Sequence, residues 1–348
     1  MPYDLLVLGN PLLDLQAEVT EDYLKKYDLK ADDAILVEEK HMPIFDEVVK
    51  MDNVHVLAGG AAQNGARGAQ YILPKDSVIY YGSVGNDKFS EQLRKANDAA
   101  GVYSNYMVQQ DVATGKCAAL ITGKHRSLAT DLGAANHYKA THLRAPENWK
   151  HVEAAKVFYV GGFHLTVCPE AMNALGQHAA ETNKIYSMNL SAPFLPTVFK
   201  EPLDANSPYW DYLIGNESEA LAYAESHNLG TTDIEEIAKK IALLPKKNTA
   251  RPRTVVFTQG TDETITVIGD VAKGTTTTKK YPVRQLSQNQ VKDSNGAGDA
   301  FAGGFLAGLV QGKDLDTAVD MGQWLASLSL QEVGPSFPLP KQTYQPRA

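Results

Sequence analysis

The feature that most constrains this chain is a loop-to-helix transition near its C-terminal end. Residues 293–306 read Asp-Ser-Asn-Gly-Ala-Gly-Asp-Ala-Phe-Ala-Gly-Gly-Phe-Leu, a polar loop with glycines followed by an apolar segment. Apolar and small residues recur there at helical spacing as far as Leu309, and Gly312 follows where such a helix would end. The pattern predicts a buried helix that begins at the glycines.

The start of this predicted helix would present unpaired backbone N–H groups. The first N–H groups of a helix have no intrahelical acceptors, and the helix dipole adds positive potential at the same place. Glycine lets a ligand approach the backbone closely. Gly296, Ala297 and Gly298 therefore predict an anion site suited to a phosphoryl group in transfer.

Asp299 lies in the first turn of the same predicted helix. A carboxylate in this position can simply stabilise the helix dipole, and the motif alone leaves that interpretation open. Beside an anion site, it could instead accept the proton of a hydroxyl that attacks phosphorus. We expect the helix start to lower its pKa, which makes it a weak base, sufficient for a loose transition state.

Composition argues against several other classes of protein. The 348 residues contain 33 Lys and Arg against 41 Asp and Glu, a net charge of −8, without a long basic run, so nucleic-acid binding is not expected. Cys117 and Cys168 provide neither a disulfide framework nor a metal quartet. No apolar run approaches the roughly 18 residues of a membrane span, and the N-terminus lacks a signal-peptide pattern. We expect a monomer in the cytoplasm, with the nucleus as a second location.

Strands alternate with helices from about residue 140 to a last helix at 315–331. This order predicts an α/β fold whose mostly parallel central sheet is covered by helices on both faces. Residues 264–271 are predicted as an outer strand, and the proline-rich residues 335–348 as a tail. Ligands bind outside the carboxyl ends of such strands. Strand ends with glycine or polar residues are Gly9-Asn10, Gly161-Gly162, Asn189, Gly215-Asn216 and Gln259-Gly260.

Residues 16–58 and 106–135 form a different pattern, with short strands and a hairpin closed at 123–125. We assign these two ranges to a small lid domain. Arg126 lies near the hairpin tip, either as a surface charge or as a clamp that lid closure brings to a phosphate. The large α/β nucleotide-binding domain then comprises residues 1–15, 59–105 and 136–348.

Three further motifs have both a structural and a functional interpretation. Gly59-Gly60 precedes a small-residue helix that either packs closely or exposes backbone to a ligand, with the Asn64 amide nearby. Asn216 and Glu219 lie one turn apart, as a helix cap or as holders of Mg²⁺-bound water. Asp14 is a turn carboxylate by its position alone, and its functional interpretation depends on a family resemblance. The first strand lacks the G-x-G-x-x-G spacing, and the chain has no P-loop, which excludes a dehydrogenase and a P-loop enzyme.

These motifs occur in a fixed order along the chain: Gly9-Asn-Pro-Leu-Leu-Asp14, Gly59-Gly-Ala-Ala-Gln-Asn64, Asn216-x-x-Glu219 and Asp293-x-Asn-Gly-Ala-Gly-Asp299. Together they resemble the ribokinase family of sugar and nucleoside kinases over about residues 3–340. Nucleoside kinases are favoured by Arg126-Ser-Leu128, Gly133-Ala-Ala-Asn136 and Asn189-Leu-Ser-Ala-Pro-Phe194. The resemblance implies a large α/β domain with a lid, and transfer of the ATP γ-phosphoryl group to the ribose 5′-hydroxyl of adenosine, giving AMP.

The resemblance also implies roles for individual residues. Asp299 would be the base, and the amides of Gly296, Ala297 and Gly298 would form the anion hole. Arg126 would reach the phosphates. Nucleoside contacts would come from Asn10, Asp14, Gly59, Gly60, Asn64, Cys117, Leu128, Phe163 and Phe194. ATP contacts would come from Asn189, Asn216, Gln259, Gly260, Gln288, Asn295 and Gln323.

The implied cofactor is Mg²⁺, organised by Asn216 and, through water, by Glu219; some relatives also require a monovalent cation. Two positions depart from the family pattern, because His164 stands where a second Phe is usual and Gln323 where a further ring is expected. Two alternatives stay open. One is a kinase for another nucleoside or for ribose, since a carboxylate suits any furanose. The other is an inactive ligand sensor.

Overall fold

The computed structural model describes residues 3–31, 34–123 and 125–347. Their strands form two separate sheets, one of nine strands and one of five. The strands are β1 Leu5–Leu8, β2 Leu13–Glu18, β3 Ala34–Leu36, β4 His55–Ala58, β5 Val78–Gly85, β6 Tyr103–Gln109, β7 Thr114–Thr122, β8 His125–Gly133, β9 Val157–Gly161, β10 Ile185–Asn189, β11 Tyr212–Asn216, β12 Arg253–Gln259, β13 Asp262–Asp270 and β14 Thr275–Tyr281.

Helices connect most of these strands. They are α1 Glu21–Lys26, α2 Pro43–Val48, α3 Ala61–Ile72, α4 Lys88–Ala100, α5 Ala140–Arg144, α6 Pro146–Ala154, α7 Pro169–Thr182, α8 Phe194–Val198, α9 Lys200–Asn206, α10 Glu217–Ser226, α11 Ile234–Ala242, α12 Ala297–Val310 and α13 Leu315–Ser329. Among the described residues, no helix is long and apolar enough to cross a membrane.

The large sheet has the order β14-β13-β12-β11-β10-β9-β1-β5-β6, and its strands from β12 to β6 are parallel. Strand β1 shows that both faces are covered. Leu5 and Val7 belong to one core with α3 and α12, whereas Leu6 and Leu8 belong to a second core with α7 and α11. The predicted doubly covered α/β sheet is therefore confirmed.

The small sheet has the order β3-β8-β7-β2-β4. The predicted hairpin is present as the antiparallel pair β7 and β8, although Lys124 in its turn lies outside the described residues. The predicted domain boundaries at residues 15/16 and 105/106 fall inside β2, in the small sheet, and β6, in the large sheet. The division into a large domain and a lid stays a prediction.

Two predictions about the C-terminal third of the chain are wrong. The outermost strand is β14, which pairs antiparallel with β13, so residues 264–271 are not at the edge. The segment 335–347 is also not a free tail. The Tyr71 hydroxyl donates to the Pro338 carbonyl at 2.9 Å, and the Tyr344 hydroxyl donates to Asp320 at 2.7 Å, so the segment packs along α3 and α13.

The buried helix predicted from residues 293–306 is α12. Its glycines allow neighbouring backbones to approach. A Cβ on Gly303 would lie 2.7 Å from the Gly65 carbonyl, and a Cβ on Gly304 would lie 2.4 Å from the Met321 carbonyl. The cap residue Gly296 has φ +78°, a conformation that favours glycine. Helix packing therefore fixes the N-terminus of α12 in one place.

Candidate active site

A cavity of about 350 Å³ lies between the two sheets, within the range that holds small ligands. It opens at the carboxyl ends of β1, β9, β10 and β11, as expected for a parallel sheet. Most of the predicted site residues line it. They are Asn10, Asp14, Gly60, Asn64, Cys117, Arg126, Leu128, Phe163, Asn189, Asn216, Glu219, Asn295, Gly296, Gly298 and Asp299.

Three other predicted residues lie directly behind this lining. Gly59 supports Asp14, because a Cβ on Gly59 would lie 2.0 Å from the carboxylate carbon of Asp14. The Phe194 ring is tilted against the Phe163 ring, with centroids 6.2 Å apart. Ala297 is the first residue of α12, between two lining residues.

Four predicted ATP contacts lie away from this cavity. Gln259 lines a separate surface groove beside α11, and Gly260 follows it at the end of β12. Gln288 is exposed in a short 3-10 turn. Gln323 is buried, and its amide nitrogen donates to Thr264 Oγ1 at 3.1 Å. Gln323 therefore uses its amide in packing within the fold.

The N-terminus of α12 exposes unpaired backbone donors to the cavity. Within the described ranges, the N–H groups of Gly296, Gly298 and Asp299 have no acceptor, whereas the Ala297 N–H points back to the Ser294 carbonyl at 3.3 Å. A Cβ on Gly298 would meet no atom within 4 Å. The three amides predicted for the anion hole are thus not equivalent, and Gly298 is the most open.

Asp299 is half-buried in the cavity wall. Its Oδ2 accepts a hydrogen bond from Asn64 Nδ2 at 2.9 Å. Burial raises the pKa of Asp299 to about 6, against the lowering effects of Asn64, Arg126 and Arg67. The expected low pKa is wrong, because loss of hydration outweighs the favourable charges around the carboxylate. Asp299 is therefore a stronger base than its helix position alone would make it.

Two other carboxylates in the cavity also have pKa values raised by burial. Burial raises the pKa of Asp14 to about 7, which Arg67 partly opposes. Burial likewise raises the pKa of Glu219 to about 7, and the charge of Asp299 adds to the effect. The charge of Asp299 repels both Asp14 and Glu219, so a cation or a hydrogen-bond donor that enters the cavity would be stabilised.

Glu219 and Asn216 form a reciprocal cap at the start of α10. The Asn216 side chain accepts from the Glu219 N–H at 2.9 Å, and Glu219 Oε2 accepts from the Asn216 N–H at 3.0 Å. Glu219 Oε1 accepts from Asn216 Nδ2 at 3.0 Å, and each carboxylate oxygen retains a further lone pair. The buried, repelled carboxylate fits an interaction with Mg²⁺ through water, and its structural role is present as well.

The opposite wall of the cavity comes from the small sheet and is largely apolar. Arg126, Leu128, Thr130 and Leu132 alternate along β8 and all line the cavity, as side chains on one face of a strand do. Leu36 on β3 joins them. The sequence reasoning identified Arg126 and Leu128 but missed the other three, although the alternation along β8 was available.

His164 occupies the position where the family pattern has an aromatic ring. It is fully buried, and its Nδ1 lies 2.8 Å from Asn10 Oδ1. Asn10 Nδ2 donates to the Phe163 carbonyl at 3.1 Å, so Oδ1 must be the acceptor and His164 Nδ1 the donor. Burial lowers the pKa of His164 to about 3. The imidazole is therefore neutral and holds Asn10 and Phe163 in place.

Arg67 is a further residue that sequence reasoning missed. It lies one turn after Asn64 on α3, and its Nη2 donates to Asn64 Oδ1 at 2.5 Å. The spacing of three residues in a predicted helix was a usable signal, because such residues share a face.

Comparisons with known proteins agree with this geometry. Residues 21–342 match the family model described as pfkB family carbohydrate kinase. An adenosine kinase of Saccharomyces cerevisiae is 55% identical over 350 residues, which covers 99% of each chain. An adenosine kinase of Schizosaccharomyces pombe is 49% identical over 345 residues, covering 98% of each chain.

A solved structure of an adenosine kinase is also similar to this chain in its three-dimensional fold. The crystal structure of Anopheles gambiae adenosine kinase in complex with P1,P4-di(adenosine-5) tetraphosphate matches with a TM-score of 0.91 at 42% sequence identity. The match covers 95% of this chain and 96% of the other.

Proposed function

The chain belongs to the pfkB family of carbohydrate kinases, and we propose that it transfers the γ-phosphoryl group of ATP to the 5′-hydroxyl of adenosine, giving AMP and ADP. One observation carries the proposal: Asp299 and the unpaired N–H groups at the start of α12 face the same cavity. The full-length similarity to adenosine kinases supports adenosine as the acceptor.

Asp299 would act as the general base. At neutral pH a carboxylate with a pKa of about 6 is mostly ionised, yet basic enough to take a proton late in the reaction. Asn64 donates to one of its oxygens and leaves the other free for the attacking hydroxyl. Removal of the proton at the 5′-oxygen would then accompany formation of the new P–O bond.

The start of α12 would stabilise the phosphoryl group in transit. Negative charge on the three equatorial oxygens would be met by the N–H groups of Gly298 and Asp299 and by the positive end of the helix dipole. These donors are fixed by packing of α12, so they need little reorganisation during the reaction. Arg126 on β8 would add a guanidinium from the opposite wall.

Asn216 and Glu219 would hold Mg²⁺ through its water ligands. When bound, Mg²⁺ supplies positive charge to the nucleotide phosphates. The cation would also relieve the repulsion between Glu219 and Asp299.

The substrate would lie across both walls. Asp14, Asn64 and the Gly60 backbone would bind the ribose hydroxyls, while Leu128 and Cys117 would contact the base. Conversion of adenosine to AMP would place the protein in purine salvage. Both cysteines are free thiols in the structure, which supports a reducing compartment such as the cytoplasm.

The proposal is tested by incubating the purified chain with ATP, Mg²⁺ and one acceptor at a time, and separating the products by chromatography. We expect AMP from adenosine, and much slower turnover of guanosine, inosine and ribose. Faster turnover of another acceptor would replace adenosine as the substrate. Binding of adenosine without ADP formation would support the inactive sensor instead.

A further inference from the structure

Arg67 is a buried cation to which the mechanism above assigns no role. It lies on α3 with 8% of its surface exposed. Its guanidinium donates to the Ala58 carbonyl at 2.6 Å and to Asn97 Oδ1 at 3.3 Å, in addition to Asn64 Oδ1 at 2.5 Å. These three acceptors are neutral oxygens, and none of them is a carboxylate that would balance the positive charge of Arg67. A buried charge that is held by neutral oxygens is costly and calls for an explanation.

Two hydrogen bonds connect Arg67 through Asn64 to the carboxylate of Asp299, the proposed base. Asn64 Oδ1 accepts from Arg67, and Asn64 Nδ2 donates to Asp299 Oδ2 at 2.9 Å. A guanidinium has only donors, so the oxygen of the Asn64 amide must face Arg67. The nitrogen must then face Asp299. Arg67 thereby selects the one orientation of Asn64 in which the amide stabilises an ionised Asp299.

The Arg67 guanidinium also acts electrostatically on two carboxylates that face the cavity, Asp14 and Asp299. It opposes the rise in pKa that burial causes at Asp14 and at Asp299. Other groups act on Asp299 from the surrounding elements, and their effects must be separated from that of Arg67. These groups are Arg126 on β8, Asp14 on β2, Tyr159 on β9 and Glu219 on α10.

We propose that Arg67 is a positioning residue for phosphoryl transfer, which acts on Asp299 through Asn64 and keeps the base ionised and correctly oriented. This inference rests on the proposed function. It differs from a purely structural role, in which Arg67 would only join Ala58 at the end of β4 to Asn97 on α4.

The test compares Arg67→Met with Arg67→Lys in the full chain, by the pH dependence of kcat/KM for adenosine. The Arg67 guanidinium lowers the pKa of Asp299, so removal of the guanidinium should raise the pKa of Asp299. We expect the acidic limb to move upward by about one pH unit in Arg67→Met, which makes the loss of activity about fivefold greater at pH 6 than at pH 8. Arg67→Lys keeps the charge but not three donors in fixed directions, and we expect a shift of about half a unit.

Arg253 provides a matched control. It is fully buried, and its guanidinium donates to backbone carbonyls only, among them Ile241 and Leu244 at the end of α11. Arg253→Lys should lower the melting temperature but leave the acidic limb of the pH profile in place. A shift of equal size in Arg253→Lys would mean that general destabilisation moves the profile, and would overturn the inference.

A second readout does not depend on turnover. The ¹³C carboxyl resonance of Asp299, assigned with Asp299→Asn, reports its pKa directly in each folded variant. An unchanged titration of Asp299 in Arg67→Met, or in Arg67→Lys if the Met variant does not fold, would overturn the role of Arg67. A wild-type chain that phosphorylates no acceptor would instead refute the proposed function, while the NMR titration would still decide the role of Arg67.

Discussion

The two walls of the cavity are built on different principles. The wall on the large sheet is polar and uses backbone N–H groups, the two carboxylates Asp299 and Glu219, whose pKa values burial raises, and the buried hydrogen bond from the Arg67 guanidinium to the Asn64 amide. The wall on the small sheet is formed by alternate side chains of β8, of which Leu128 and Leu132 are apolar. Asp14 is the exception, because it projects from β2 in the small sheet toward the polar wall.

The difference indicates how chemistry and selectivity are divided. Backbone donors at the start of a packed helix cannot be changed by a side-chain substitution, and they suit a reaction whose transferred group is constant. Side chains on one face of a strand can be exchanged individually without disturbing the sheet. We therefore expect substitutions in the polar wall, and of Arg126 in the opposite wall, to affect turnover, and substitutions of the apolar residues of the opposite wall to affect the choice of acceptor.

The largest expected effect is that of Asp299→Asn, which removes the base but retains a polar group of similar size. We expect kcat to fall by about 10² or more while the dissociation constant for adenosine changes by less than about threefold. Steady-state kinetics and calorimetry measure the two quantities. The control is Asp314→Asn at the start of α13, whose side chain only caps its helix. Full turnover in Asp299→Asn would remove the distinction between the walls.

Arg126→Ala should have the next largest effect, because it deletes the one cation that the small-sheet wall contributes to the cavity residues named above. We expect kcat to fall by about tenfold or more, with Arg126→Lys intermediate, since lysine lacks the two-pronged geometry. A change confined to the KM for adenosine would place Arg126 with the acceptor-selecting residues.

Gly298→Ala tests the backbone donors. The added methyl group would meet no protein atom within 4 Å, so the fold should be retained, but it would enter the space beside the exposed N–H. We expect kcat to fall by about tenfold and the melting temperature to stay constant. Gly296→Ala provides the contrast. Gly296 has φ +78°, and an added Cβ would lie 2.6 Å from the Cβ of Pro335, so this substitution should destabilise the fold.

The smallest expected effect concerns stability against pH. The pKa values of Asp299 and Glu219 are raised in the folded chain, to about 6 and about 7, so folding is favoured by these groups below their ordinary pKa values. This contribution is lost as the pH rises through 6 to 7. Asp299→Asn should therefore raise the free energy of unfolding at pH 8 by about 1 kcal/mol, with a smaller gain at pH 5. Urea unfolding at both pH values measures this, and an equal change at both would contradict it.

Much of the polar wall could be predicted from the sequence, because it depends on local patterns. A glycine-rich helix start, an Asp in its first turn and Asn216 three residues before Glu219 each lie within one element. The resemblance to the ribokinase family of sugar and nucleoside kinases is likewise confirmed by the family match. The alternation of strands with helices along the chain was sufficient to predict a sheet covered by helices on both faces.

The remainder depends on contacts between distant segments. The pKa of Asp299 was predicted in the wrong direction, because helix position is visible in the sequence whereas burial of the side chain in the folded protein is not. The packing of residues 335–347 depends on Tyr71, some 270 residues earlier in the chain. Gln323 was assigned to ATP from the family resemblance, and that assignment stays a prediction; its amide nitrogen donates to Thr264 Oγ1, a contact that the sequence does not reveal.

The division between the walls is tested most directly by the ratio of kcat/KM for adenosine to that for ribose, measured in the wild type, Asp299→Asn and Leu128→Asn. Asp299→Asn should lower both values together and leave the ratio unchanged. Leu128→Asn should lower the ratio by about tenfold, because it affects only an acceptor that carries a base. A ratio that changes in Asp299→Asn and stays constant in Leu128→Asn would contradict the account.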